Sequence, residues 1–306
     1  MLKNKKVSII MNCYNGAKYL NEAIESLIDQ TYKNWELIFY DNCSTDESVK
    51  IIKKYKDKRI KYFKSKKKIN LGLARYNALQ KCKGSYIAFF DCDDIWFKEK
   101  LRSQLPLFKD KEVGIVISNS IIFNKKRSKK LYFYKPPEGK VFYDLINNYF
   151  ISLDTVILRK DSLKKVEKNF QSKFNMIHDL DLLIRLSFFT KLAYYPNVLS
   201  KWRVHNLSGS YNKDEKFIKE KKVFINEISN KFKDDRKFKI AKKKFLNELK
   251  YNKLLNLIIS GKKKSLLKKV LNLEANLKKI VLLIFLIFPY GSFFLRKIYR
   301  YRKFYD

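Results

Sequence analysis

Cysteine is scarce in this chain: Cys13, Cys43, Cys82 and Cys92 are the 4 among 306 residues. They are widely separated and form no CxxC pair, which excludes a zinc ribbon and a disulfide framework. Histidine is scarcer, with 2 residues, His178 and His205. The apolar stretch Ile280 to Leu295 contains Pro289 and Gly291, and at about 1.5 Å per residue it falls short of the roughly 20 residues a membrane-spanning helix needs. Met1-Leu2-Lys3-Asn4-Lys5-Lys6 runs straight into the first strand with no apolar leader, so folding in a reducing cytoplasm is expected. Acid is also in deficit, 30 residues against 68 basic ones for a net charge of +38. Such charge ordinarily points to a polyanionic partner. Here Lys, Asn, Ile, Phe and Tyr are abundant together, as an AT-rich genome would encode whatever the function, so the charge is discounted and no nucleic acid partner is expected.

What is present is a series of apolar strand-like runs that end in polar turns. Val7 to Met11 runs into Asn12-Cys13-Tyr14-Asn15-Gly16, and Tyr19, Ala23, Leu27 and Ile28 then recur at helical spacing. Glu36 to Tyr40 runs into Asp41-Asn42-Cys43-Ser44-Thr45-Asp46, with Thr45 placed to cap a helix reaching about Tyr55. Ile60 to Phe63 reads as a strand and Leu71 to Cys82 as a helix. Tyr86 to Phe90 then delivers Asp91, Cys92, Asp93 and Asp94 abruptly at a strand end. Strands alternating with helices predict a mostly parallel sheet flanked by helices, with ligands at the carboxyl ends of the strands. Three acids within four residues repel one another, so a hard divalent cation carrying phosphate oxygens is the simpler explanation for the cluster. A turn rich in Asp after a buried strand is the plainer alternative. Asp94 doubles as the expected cap of a helix starting at Ile95.

Taken in order, the runs ending at Asn12 to Asn15, Asp41 to Asp46 and Asp91 to Asp94, together with Asn70 to Asn77, resemble the family 2 glycosyltransferases of the GT-A fold. His178-Asp179 opening an apolar helix and Trp202-Arg203-Val204-His205 extend the resemblance over about two-thirds of the chain. It implies an inverting glycosyltransferase, of hexosyltransferase class, that uses a nucleotide-sugar donor and Mn²⁺ or Mg²⁺. The resemblance places Asp93 as metal ligand in a DXD-type motif, Asp91 on the ribose or metal, and Asn12 and Asp41 around base and ribose. Tyr14 is placed to stack on the base. Arg75 is implied to meet the diphosphate, His205 the diphosphate or the metal, and Asp179 to serve as general base. Arg203 shares the role of His205, and His178 is read as a neighbour orienting Asp179. Asp181 is expected to pair with Arg185 one turn later. Many relatives carry an acid where this chain has Asn42, and an amide accepts a hydrogen bond from uracil more weakly than a carboxylate. Uridine selectivity therefore does not follow.

The expected organisation is a GT-A domain over 1–210, a basic helical extension over 211–277 and an apolar, basic tail over 278–306. Lys278, Lys279, Arg296 and Lys297 flank the apolar run, which suits an interfacial anchor on anionic lipid. A buried helix in a C-terminal subdomain is the other reading. The expected setting is the inner face of the cell membrane, with a glycan or glycolipid acceptor of the cell envelope. The segment Asn124 to Lys130 lies between apolar runs and reads as a hairpin, and Leu153 to Leu158 and Ala193 to Tyr195 as strands. Two other classes remain: a sugar-nucleotidyltransferase, whose Gly-rich, Arg-containing first turn is missing here, and a basic membrane or nucleic-acid binding protein, which has no need of acids at successive strand ends.

Overall fold

In the computed structural model, the described residues are 5–167, 170, 173–205, 208, 214–260, 266–274, 277–287, 291, 293–295 and 297–298. Two compact units divide the chain. One comprises Met1–Leu145 and Tyr149–Arg203; the other comprises Ile146–Asn148 and Val204–Asp306.

Among the described residues, the first unit is built on one mixed sheet of 9 strands. Its opening half follows the alternating pattern: β1 (Val7–Cys13), α1 (Ala17–Ile28), β2 (Trp35–Asp41), α2 (Ser48–Lys54), β3 (Ile60–Lys64), α3 (Leu71–Leu79) and β4 (Tyr86–Phe89). β1, β2 and β4 are buried almost throughout. Helices cover both faces of such strands, so they read as continuous apolar runs rather than as alternation. β1 pairs in parallel with both β2 and β4, and β2 with β3. Their carboxyl ends therefore lie along one edge of the sheet.

The later strands are β5 (Ile95–Trp96), β6 (Val113–Phe123), β7 (Ser128–Lys130), β8 (Ile157–Arg159) and β9 (Lys191–Arg203). They complete the order β3-β2-β1-β4-β8-β6-β9-β5, with β7 on β6. β8 is antiparallel to both β4 and β6 and joins the two halves. β6 and β7 form the expected hairpin, with Phe123 opposite Ser128. Three local expectations differ. Ile95 and Trp96 form β5 against β9 rather than a helix, which begins only at α4 (Lys100–Gln104). Leu153–Thr155 is a 3-10 turn, and the strand starts at Ile157. Thr45 does not cap α2; its amide donates to Asn15 Oδ1 at 2.8 Å. Asp46 takes the capping role instead, accepting from the amides of Ser48 and Ala17, each at 3.0 Å, and so serves the starts of α2 and α1 together. The remaining helices of this unit include α5 (Phe142–Asn147), which runs across the division, and α6 (His178–Phe189).

The second unit holds α7 (Asp214–Ser229), α8 (Arg236–Ile259), α9 (Leu266–Leu271) and α10 (Leu277–Ile287). α8 is capped by Asp235, whose side chain accepts from the Phe238 amide at 3.0 Å. Leu254, Leu255 and Ile258 of α8 form one apolar cluster with Leu266, Val270, Leu282 and Leu295. The apolar tail thus packs one face into a core, and its opposite face leaves Leu277, Ile280, Ile284 and Ile287 exposed. Among the described residues no helix is long and apolar enough to cross a membrane. Pro289, Arg296 and residues 299–306 of the expected tail lie outside the described residues.

Candidate active site

The strand ends of β1, β2 and β4 gather the predicted donor-side residues. Asn12, near the end of β1, has both atoms of its side-chain amide buried without a hydrogen-bond partner. An unpaired buried polar group costs about 1–3 kcal/mol, so such groups are uncommon. Tyr14 follows on the turn, 43% exposed, and its ring carries the Lys68 ammonium 3.6 Å from the centroid. Asn15 adopts a left-handed φ of 53°, a conformation Asn tolerates better than most residues.

Asp41 ends β2 fully buried. Its Oδ1 accepts from the Ser44 amide at 2.9 Å, and its Oδ2 accepts from the Tyr62 hydroxyl at 3.3 Å. Burial and the Asp41 charge together push the Tyr62 phenol up to about 12. Asn42 is committed to the loop after β3: its amide donates to the Ile69 carbonyl at 2.8 Å and accepts from the Ile69 amide at 3.0 Å. That two-point clasp holds the segment leading into α3. Asn70 then caps α3, accepting from the Leu73 amide at 2.8 Å, and Asn175 accepts from the Leu71 amide at 3.0 Å.

The acid turn follows β4. Arg75, on α3 and nearly buried, donates from Nη2 to Asp91 Oδ1 at 2.8 Å. The Asp91 side chain keeps 45% of its exposure. Desolvation nonetheless raises its pKa, Arg75 opposes the shift and Asp93 adds repulsion. Asp94 is buried and raised further, by desolvation first and then by its acidic neighbours. The expected capping role is replaced: Asp94 Oδ1 accepts from the Arg203 amide at 2.9 Å. Arg203 also donates from Nε to the Asp93 carbonyl at 2.8 Å and from Nη2 to Glu22. Its guanidinium lies 4.5 Å from the ring centroids of both Tyr19 and Phe123. Arg203 therefore fastens the acid turn to α1 and β6.

The fit to a divalent cation is chemical. Asp91 and Asp93 are hard oxygen donors whose mutual repulsion a cation would relieve. Among the described residues no group of three His, Cys, Asp or Glu side chains converges on one point. One or two carboxylates completed by diphosphate oxygens is the donor set Mg²⁺ commonly takes.

At the start of α6, His178 and Asp179 adjoin this group. Arg75 Nη1 lies 3.0 Å from His178 Nε2 and 3.2 Å from Nδ1, so one guanidinium nitrogen faces the ring edge. Burial, reinforced by the Arg75 charge, holds the His178 pKa well below its ordinary value and keeps the ring neutral. His178 Nδ1 is 3.5 Å from Asp179 Oδ1. Tyr149, a residue with no motif around it, donates its hydroxyl to Asp179 Oδ2 at 3.2 Å. Asp181 is paired with Arg185 through two hydrogen bonds of 3.0 and 2.6 Å, as the spacing suggests. His205 falls in the second unit, where its amide donates to Ser208 Oγ at 3.0 Å.

The sequence profile of Glycosyl transferase family 2 matches residues 8–167. The chain is 30% identical over 211 residues to a Bacillus subtilis protein named as a teichuronic acid biosynthesis glycosyltransferase, covering 68% of this chain and 82% of that one. It is 34% identical over 221 residues to an Escherichia coli UDP-Glc:α-D-GlcNAc-diphosphoundecaprenol β-1,3-glucosyltransferase, covering 71% and 84%. The crystal structure of S. aureus TarS 1–349 in complex with UDP-GlcNAc superimposes with a TM-score of 0.65 at 19% identity, covering 98% of this chain and 92% of that one. The architecture is thus of the GT-A type, and the profile match with the two relatives shows that this chain belongs to glycosyl transferase family 2.

Proposed function

We propose that this glycosyltransferase is inverting, and that it moves a hexose from a nucleoside-diphosphate donor to a hydroxyl of an envelope glycan or lipid-linked acceptor. The observation that carries the reading is the contact series Asp91, Arg75, His178, Asp179, which runs from the acid turn to the start of α6 through separations of 2.8, 3.0 and 3.5 Å. Donor-side acids and a separate carboxylate are thereby linked by one chain of contacts. The acceptor class follows the substrate named for the similar Escherichia coli glucosyltransferase.

Asn12, Tyr14 and Asp41 bind base and ribose, and the unpaired Asn12 amide recovers its lost hydrogen bonds on the nucleotide. Asp93 and Asp91 would hold the cation, and what a bound Mn²⁺ or Mg²⁺ supplies is Lewis acidity toward the departing diphosphate. Arg75 presents its fork to phosphate oxygens from a buried position. Asp179 takes the proton from the acceptor hydroxyl as that oxygen attacks the anomeric carbon on the face opposite the diphosphate. One displacement inverts the configuration.

Incubation with a panel of nucleotide sugars and lipid-linked acceptors, followed by proton NMR of the new anomeric centre, tests this. Release of nucleoside diphosphate with inversion is expected. Retention of configuration, or nucleoside diphosphate release that is unaffected by EDTA, would sink the mechanism.

We further propose that the enzyme works as a peripheral protein on the anionic inner face of the cell membrane, with the exposed side of α10 as its contact. The support is the row Leu277, Ile280, Ile284 and Ile287 at helical spacing, with Lys278 exposed on the same helix. Flotation with vesicles containing phosphatidylglycerol should carry the full-length protein upward. A variant with Ile280, Ile284 and Ile287 changed to Ser should stay at the bottom, and equal flotation of the two would defeat the assignment.

A further inference from the structure

Where β1 meets the acid turn lies a pair of thiols for which sugar transfer has no use. Cys13 is the last residue of β1, and Cys92 stands between Asp91 and Asp93. β1 and β4 run parallel with Ile10 opposite Phe89, and the Phe90 amide continues the ladder by donating to the Ile10 carbonyl at 2.9 Å. Carried three residues further, this register sets Cys13 against Cys92. The two side chains meet over Gly16: a Cβ built on residue 16 would stand 2.6 Å from Cys92 Sγ and 3.0 Å from Cys13 Sγ. Both residues are free thiols. The other two cysteines are engaged elsewhere, Cys43 with the Ser65 carbonyl at 3.2 Å and Cys82 with the Ala78 carbonyl at 3.5 Å.

Neighbouring strands lie about 4.8 Å apart, within the roughly 4.4–6.8 Å separation of Cα atoms that a disulfide accepts. Cys13 is buried at 1% exposure, whereas Cys92 is only partly buried. A small oxidant therefore reaches Cys92 first.

We propose that Cys13 and Cys92 form a site of reversible oxidative modification, at which a hydroperoxide converts the two thiols to an intramolecular disulfide. The Cys92 sulfur takes one peroxide oxygen, the O–O bond breaks, and a sulfenic acid forms with loss of water from hydrogen peroxide. The Cys13 sulfur then attacks Cys92 Sγ; the S–O bond breaks and the leaving hydroxide takes up the Cys13 proton as a second water. Two electrons pass from the thiol pair to the peroxide, and a dithiol reductant returns them. Closing the sulfurs to about 2.05 Å draws the Asp91–Asp93 turn toward β1. The pair of carboxylates is then displaced from the positions that Arg75 and Arg203 define.

Bond formation does not depend on the proposed transfer mechanism; only its effect on turnover does. Full-length protein treated with hydrogen peroxide, alkylated and digested without reductant should yield a Cys13–Cys92 linked peptide, with an intact mass lower by about two units. Donor turnover should fall at least about tenfold and return with dithiothreitol. Cys13→Ser and Cys13→Ala should keep the turnover of the untreated protein and resist this reversible loss. A link through Cys43 or Cys82, oxidation of Cys92 without a link, or equal and reversible inactivation of both Cys13 variants would overturn the proposal. Should no donor be turned over at all, the transfer reading falls, and the peptide map still decides for or against the disulfide.

Discussion

Tyr149 donates its hydroxyl to Asp179 at 3.2 Å, on the carboxylate oxygen away from His178. Burial, with the Asp179 charge second, raises the Tyr149 phenol well above its usual range, so it stays a donor throughout the working pH range. A hydrogen bond to a charged group is worth about 1.5–3 kcal/mol, and Tyr149→Phe should accordingly lower kcat by about tenfold or more while donor KM changes little. Asp179→Asn, which removes the base itself, should cost about 10²–10⁴-fold with donor affinity kept. Steady-state kinetics and calorimetry with the donor nucleotide check both. Loss of donor binding in Asp179→Asn would place that residue on the nucleotide instead.

Asp93→Ala should abolish transfer and remove stimulation by Mn²⁺ or Mg²⁺, because diphosphate departure then lacks charge neutralisation. Titrating metal into enzyme and following nucleoside diphosphate release gives the readout. Near-normal turnover of the variant in EDTA would remove Asp93 from the metal site.

Asn42 holds both polar groups of Ile69, so Asn42→Asp keeps one bond and loses the donor to the Ile69 carbonyl. The segment after β3 loosens, and binding of uridine, guanosine and thymidine diphosphates should weaken together, by about fivefold to tenfold for a lost bond near 1 kcal/mol. A nucleotide panel in which the order of preference changes would show that Asn42 faces the base directly.

Lys100 is fully buried, donating to Gln104 at 2.7 Å and to the Thr155 carbonyl at 3.2 Å. Burial lowers its pKa to about 7, and Asp154 only partly offsets this. Unfolded lysine titrates near about 10.4, so between about 7 and about 10 the unfolded chain binds a proton that the folded chain does not. Stability therefore gains a component that rises with pH across that window, by up to about 1.4 kcal/mol per unit, and is flat below it. Lys100→Met lacks the component. Urea denaturation of both proteins from about pH 6 to about pH 10 tests this; parallel curves would refute it.

The first half of the sheet was legible because each central strand is an apolar run stopped by Asn or Asp, the signal that burial on both faces leaves. β8 and β9 are legible only in part, and β5 reads as the start of a helix. β9 carries Lys191, Pro196, Asn197 and Lys201 and pairs with β6 through register shifts, so it shows neither steady alternation nor an unbroken apolar run. The acid turn stands out through residue type and position, and Asp179 through the family resemblance. Tyr149 did not, since an isolated Tyr in Asn147-Asn148-Tyr149-Phe150 carries no periodic or chemical signal. Lys100 was equally silent, one of 68 basic residues in the chain. The resemblance directs Arg203 toward the diphosphate or metal, whereas in the structure it bonds to Glu22, Asp93 and Asp94; the pairing depends on strand order, which local sequence does not carry.

The bond from Arg203 to the Asp93 carbonyl joins residues 110 positions apart in the chain. At ribosomal rates of about 5–20 residues per second, that separation takes about 5–20 s to emerge. Throughout that interval the nascent chain displays Asp94 without the backbone donor that satisfies it and β6 without its partner β9. The contacts of Arg203 with the acid turn are therefore completed only after β9 has emerged, and until then β6 keeps an open strand edge.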